Sequence, residues 1–237
     1  MKILTVIQAR MSSSRLPGKV MLPILDKPLL YRMVERLEKA KNIGQIVIAT
    51  SKMIEDDQIE DFCKEINLSC FRGHLTDLLD RHYQVAKTFG ADTIVKIPSD
   101  CPLIDPKIIN KVIQYFIDNA EFDYVSNLHP ATYPDGNDVE IMSFQALELA
   151  WENAQKPFER EHTTPFIWEN KESFKIGNVK WETNLDLSSS LRFTIDYIED
   201  YNFIKCVYEE LYHTNPKFGL NDILQLLKKK PEIADIN

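Results

Sequence analysis

Short apolar runs alternate along this chain with segments in which apolar residues recur every three or four positions. Ile3 to Gln8 (ILTVIQ), Ile46 to Thr50 (IVIAT) and Thr93 to Ile97 (TIVKI) have the length and β-branched content of buried strands. Between them, Leu30, Met33, Val34 and Leu37 fall on one helical face, and Ile59, Phe62, Cys63 and Ile66 fall on another. Beyond Asp105, the spacing of Ile108, Ile109, Val112, Ile113 and Phe116 predicts a further helix, and Tyr124 to Ser126 another short strand. This alternation predicts an α/β fold with a mostly parallel sheet covered on both sides.

The pattern changes from His129 to about Trp181, where Pro130, Pro134, Pro157 and Pro165 punctuate short segments. These include a strand-like Asp138 to Met142 and a helix near Phe144 to Asn153. Residues 129–181 are expected to form an insertion that builds the acceptor side of a site, a dimer arm, or both. A strand at Leu191 to Ile195 follows, then a helix bearing Phe203, Ile204, Val207 and Leu211 and a last one around Leu220 to Leu227. With no internal repeat and no long linker, residues 1–237 are expected to form one domain with that excursion.

Composition narrows the function classes. A net charge of −8 argues against general nucleic-acid binding, which needs a cationic surface to displace counterions. No apolar run approaches the roughly 18 to 20 residues that cross a bilayer. Cys63, Cys70, Cys101 and Cys206 are scattered, with no CxxC pair and no histidine at zinc-like spacing. A cytoplasmic protein without a disulfide framework is the expectation. A polyanionic ligand would have to meet a local cluster of bases, and one stands at the start of the chain.

That cluster follows the first strand directly: Gln8-Ala9-Arg10-Met11-Ser12-Ser13-Ser14-Arg15-Leu16-Pro17-Gly18-Lys19. In an open parallel sheet, ligands sit beyond the carboxyl ends of the strands. A loop there can aim N–H groups at phosphates, with Arg10 and Arg15 as planar forks and Lys19 as a point charge. Taken on charge and position alone, the segment is either such a cradle or a solvated polar loop. It is neither a Walker A loop nor a GxGxxG fingerprint.

The whole string QARMSSSRLPGK resembles the signature of the CMP-sugar synthetases, which include the CMP-Kdo and acylneuraminate cytidylyltransferases. It is still more similar to their spore-coat polysaccharide biosynthesis protein F relatives. The likeness continues through GHLTDLLDRH (73–82), KIPSDCPLID (96–105), DGNDVEIMSFQALELAW (135–151), EREHTTPF (159–166) and LRFTIDYIED (191–200). It implies a Rossmann-like, GT-A-like nucleotidyltransferase fold, a three-layer sandwich with a small dimerisation or acceptor insertion. It also implies magnesium-dependent transfer of CMP from CTP to an acidic sugar for surface polysaccharide synthesis, and a homodimer.

The resemblance carries metal-ligand roles onto Asp100 and Asp196, each at the end of a strand pattern; from position alone, either would equally cap the next helix. It makes Ala9, Arg10, Ser14, Arg15, Lys19, Gly73, Arg81 and Ser99 the expected nucleotide contacts, with Arg10, Arg15, Lys19 and Asp100 assisting catalysis. Gly73 to Arg81 also reads as a plain helix start with Thr76 as N-cap. Asp138 and Glu140, two apart on a strand, face either the acceptor or solvent. Arg160 and His162 bind an acceptor carboxylate or support the dimer arm, and a structural histidine is the commoner case.

Three rivals stay open. Sugar 1-phosphate pyrophosphorylases carry a G-G-x-G-T-R loop that is absent here, and the Asp-x-Asp of a metal-dependent glycosyltransferase is replaced by Ser99-Asp100-Cys101. A nucleotide-binding relative that has lost turnover would not need all three loop cations and both aspartates.

Overall fold

The computed structural model describes residues 1–237. The chain forms strand β1 (Ile3–Gln8), a 3-10 turn (Lys19–Met21), a small hairpin of β2 (Pro23–Ile24) and β3 (Lys27–Pro28), helix α1 (Leu29–Leu37) and β4 (Gln45–Ser51). It continues through α2 (Asp57–Glu65), β5 (Ser69–Gly73), α3 (Leu78–Phe89), β6 (Thr93–Pro98), α4 (Pro106–Asp118) and β7 (Tyr124–Ser126). The last part holds β8 (Glu140–Ser143), α5 (Phe144–Asn153), α6 (Pro157–His162), α7 (Pro165–Glu169), β9 (Ile176–Asn178), α8 (Ile198–Leu211) and α9 (Leu220–Lys229).

Seven strands form one sheet in the order β5-β4-β1-β6-β8-β7-β9. β1 pairs in parallel with both β4 and β6, β4 with β5, and β7 with β9, while β8 runs antiparallel between β6 and β7. The mostly parallel sheet expected from the alternation is thus present, with one reversed strand inside it.

Strand periodicity divides the core in two. Leu4 and Val6 of β1, Val47 and Ala49 of β4 and Ile94 of β6 pack with α3 and α5, through Leu79, Tyr83, Val85, Ala146 and Leu147. The alternate residues Ile7, Ile46, Ile48, Val95 and Ile97 face α1, α2, α4, α8 and α9. Burial on both faces explains why these strands read as continuous apolar runs.

Residues 129–181, expected as an insertion, supply β8 and β9 to the central sheet and place Ala146, Leu147 and Ala150 of α5 in the core. One expectation needs correction. Leu191 to Ile195 is not a sheet strand; it makes only a single bridge, Asp135 to Arg192. Its buried Phe193 and Ile195 belong to the core beside α8, which accounts for the apolar pattern.

Candidate active site

Gln8 ends β1 at the middle of the sheet, and the next residues turn out over its carboxyl edge. Ala9 remains tied in, its N–H donating to Ala49 O at 3.0 Å. Met11 is the hub of the loop: its carbonyl accepts from the N–H groups of Ser13 and Gly18, both at 2.9 Å, which closes the segment into a ring. Gly18 has φ +71°, a left-handed conformation that side chains rarely adopt, and so ends the ring and starts the Lys19–Met21 turn. The Met11 N–H donates to Asp56 Oδ1 at 2.7 Å. Asp56 is fully buried, and its other oxygen accepts from Ser51 N at 3.1 Å and from the Ser51 hydroxyl. The loop is therefore bolted to the end of β4 through a carboxylate.

The loop lines a cavity of about 290 Å³. Gln8, Ala9, Arg10, Ser13, Ser14, Arg15 and Lys19 form one side; Pro98 at the end of β6, Ser99 and Asp100 after it, Leu78 and Arg81 from α3, Glu161 and His162 from α6, and Asp196 form the rest. Arg15 Nη2 lies 2.8 Å, and Lys19 Nζ 3.0 Å, from Asp196 Oδ1. Lys19 also donates to Ile195 O at 2.6 Å. Both cations contact Oδ1 and no base contacts Oδ2. The Ile195 N–H donates to Asp100 O at 2.9 Å, which holds the two aspartate-bearing segments side by side.

Neither aspartate caps a helix. Asp105 caps α4, accepting from Lys107 N at 2.7 Å, and Tyr197 holds the N-cap position of α8. The start of α8 is instead satisfied by Asp200, fully buried, whose Oδ2 accepts the N–H groups of Asp196 and Tyr197, both at 2.8 Å. Asp100 makes no salt bridge; its side chain meets only the Cys101 thiol, at 3.5 Å. Near it, Asp138 is pushed up to about 7, by burial first and then by the charges of Asp135 and Asp100.

Arg81 is fully buried, and Nε (2.9 Å) and Nη2 donate to His74 O, with Nη2 also reaching Leu75 O at 2.8 Å. Burial, followed by the charge of Arg10, lowers it to about 10. It therefore lines the cavity while holding the turn before α3. Gly73 serves the same packing, since a Cβ there would come within 2.9 Å of Arg81 Cγ. The N-cap of α3 is Asp77, not Thr76, with Asp80 N donating to it at 2.8 Å.

The expected acceptor set is not brought together. Glu140 is buried opposite Lys96, its partner in the β6–β8 register, and forms an ion pair with it while accepting from Tyr124 OH at 2.7 Å. Asp138 lies before β8, so strand alternation does not align it with Glu140; the Gly136 N–H donates to it at 3.3 Å. Arg160 spends its fork on Asp77 Oδ2, at 2.8 and 2.6 Å, and its third nitrogen on Trp151 O at 2.7 Å. That network ties α6 to the start of α3. Of the four, only His162 reaches the cavity.

Sequence patterns gave no sign of Asp56 and understated Asp200, whose bonds are made to backbone. Gln8 was visible only as a strand end, yet it lines the cavity and its Oε1 is buried with no hydrogen-bond partner. No helix is long and apolar enough to cross a membrane.

Residues 4–223 match the family model described as cytidylyltransferase. A solved cytidylyltransferase from Leptospira borgpetersenii superposes with a TM-score of 0.92 at 37% identity, covering 99% of this chain and 97% of that one. The spore coat polysaccharide biosynthesis protein SpsF of Bacillus subtilis is 29% identical over 98% of this chain and 96% of its own length. A 3-deoxy-manno-octulosonate cytidylyltransferase of Geobacter sulfurreducens is 33% identical over 76% of this chain and 72% of its own.

Proposed function

This chain belongs to the cytidylyltransferase family, and on that premise we propose that it transfers CMP from CTP to an acidic sugar, releasing pyrophosphate, in surface polysaccharide synthesis. One observation carries the proposal: three loop cations and two aspartates from distant parts of the chain line a single cavity at the carboxyl ends of β1 and β6. The names of the similar proteins support the acceptor class and the pathway.

Arg10 and Arg15 are placed to clamp phosphate oxygens bidentately, and Lys19 adds a point charge. In the unliganded protein Arg15 and Lys19 rest on Asp196; an entering triphosphate competes for them and frees that carboxylate. The buried Gln8 Oε1 offers an acceptor to a ligand N–H or O–H. Arg81, held by two carbonyls, keeps a fixed positive wall beside α3. Charge stabilisation by preorganised groups of this kind is the main contribution a protein makes to nucleotidyl transfer.

The donor set suits magnesium. Asp100 and Asp196 Oδ2 are hard oxygens unpaired with any base, and two carboxylates alone fit an ion that completes its shell with phosphate oxygens. Asp100 and Asp196 would hold the ion, which when bound would neutralise phosphate charge. The remaining assignments are nucleotide contacts for Ala9, Ser14 and Ser99, a rim position for His162, and a homodimeric assembly.

The test is pyrophosphate release with each of the four ribonucleoside triphosphates, magnesium and a panel of ulosonic and sialic acids. Turnover with CTP above the other three supports the proposal. Absence of turnover with every pair, in protein shown to be folded, rejects it.

A further inference from the structure

Helix α6 ends at His162 and α7 begins at Pro165, and the chain turns between them about a single residue. Thr163 has φ +73° and ψ −52°, and the Thr164 N–H donates to His162 O at 2.9 Å. A hydrogen bond spanning one residue at these angles is a γ-turn of the rare, strained hand. Of the non-glycine residues with positive φ, Thr163 alone is β-branched; the others are Leu25, Asp26, Asn42, Asn67 and Asn184. A branched side chain is the least suited to such a backbone. Thr163 is also fully buried, with its hydroxyl 3.4 Å from His82 Nδ1.

Both flanks hold this conformation. On one side, Glu159 accepts from the N–H groups of Gln155 and Lys156, both at 3.1 Å, which secures the start of α6, and Arg160 ties the helix to Asp77. On the other, Pro165 occupies the first turn of α7 and Ile167 is fully buried in the core. The residue that the turn orients is His162, which lines the nucleotide cavity next to Leu78 and Arg81 of α3. Its ring meets that of Phe158, with centroids 4.7 Å apart, a contact that leaves the nitrogens at the ring edge for a ligand.

We infer that Thr163 is a positioning residue: its strained turn fixes His162 against the nucleoside end of a bound nucleotide, on the wall that the basic loop does not form. The inference rests on the nucleotide site proposed above and gives His162 a direct contact with the ligand. Backbone strain persists where the surroundings over-determine it, and here they direct one imidazole into the cavity. A ring held in advance of binding spares the ligand the cost of ordering it.

The test compares Thr163→Gly with Thr163→Ala, which differ by one Cβ, and both with His162→Ala, a change at an exposed side chain that leaves the core intact. Urea unfolding, calorimetric titration with CTP and with inorganic triphosphate, and pyrophosphate release are measured on each. Thr163→Gly should unfold at higher urea than Thr163→Ala, the reverse of the usual order, because glycine accepts positive φ. It should nevertheless bind CTP more weakly than Thr163→Ala does. His162→Ala should lose about fivefold or more in CTP affinity, the scale of one hydrogen bond, with inorganic triphosphate bound as in wild type. In the His162→Ala background, Thr163→Gly should weaken CTP no further.

Three results overturn the inference: Thr163→Ala at least as stable as Thr163→Gly, CTP affinity in Thr163→Gly equal to wild type, or CTP affinity in His162→Ala equal to wild type. A wild type that binds CTP without turnover rejects the proposed transfer, while the affinities still support or overturn the role of Thr163.

Discussion

Lys19 Nζ lies 3.0 Å from Asp196 Oδ1, joining two residues 177 positions apart. The contact is mostly screened from solvent, with the two side chains 12% and 19% exposed. It shows that the cationic loop is not a loose solvated segment. The pair holds the loop in place before any ligand arrives and gives Asp196 two competing tasks: partner to the cations, and oxygen donor once phosphate has taken them.

Asp196→Asn is therefore expected to lower kcat by roughly 100-fold or more, on the scale of removing one preorganised electrostatic group from a transferase site. Lys19→Met should raise KM for CTP as well as lower kcat. Pyrophosphate release under saturating CTP separates the two effects. Chelation of magnesium should silence wild type and abolish the thermal stabilisation given by CTP.

Asp56 lies outside the cavity and acts on the loop through Met11. Asp56→Ala leaves the Met11 and Ser51 N–H groups without their acceptor, a loss of about 1–3 kcal/mol. Urea unfolding should show this destabilisation, and CTP should bind more weakly although no nucleotide contact has been removed. Unchanged CTP affinity in the folded variant would show that the loop keeps its shape without this anchor.

The Lys96–Glu140 pair predicts an asymmetry. Lys96→Met strands a buried carboxylate and should cost about 3–5 kcal/mol, whereas Lys96→Met combined with Glu140→Gln should recover much of that loss. Activity per folded molecule should survive in the double variant, because Glu140 is committed to the core. A selective rise in acceptor KM would instead return Glu140 to the acceptor site.

His82 makes stability depend on pH. Its ring is fully buried against Leu78 O, and burial lowers it from 6.5 to about 3. Between these values the unfolded chain takes up a proton that the folded chain refuses. Stability is thus fully present above about pH 6.5 and is lost as pH falls, by up to about 1.4 kcal/mol per pH unit. Denaturant unfolding at about pH 7 and pH 5 should show the drop, and His82→Gln should flatten it.

The sheet was legible because its strands are buried on both faces and its helices on one, leaving runs and periodicities that survive in linear order. Leu191–Ile195 misled for the same reason: Phe193 and Ile195 are core residues on an extended segment that pairs with no strand. Loop chemistry was equally visible, since Arg10, Arg15 and Lys19 lie within ten positions. The acceptor side was not. Whether Arg160 faces a ligand or Asp77, and whether Glu140 faces solvent or Lys96, depends on partners 83 and 44 positions away. The anchors Asp56 and Asp200 act on backbone N–H groups, which every residue carries, so no sequence pattern marks them.

Because Asp196 comes from a segment held beside Asp100 and outside the sheet, the cleft closes only when stretches far apart in sequence have come together. A folding intermediate that has built β1 and β6 but has not docked this segment displays the basic loop without the carboxylate that steadies it. Nucleotide capture should accordingly switch on only once the segment has docked, so that the ligand reports on completion of the fold as a whole.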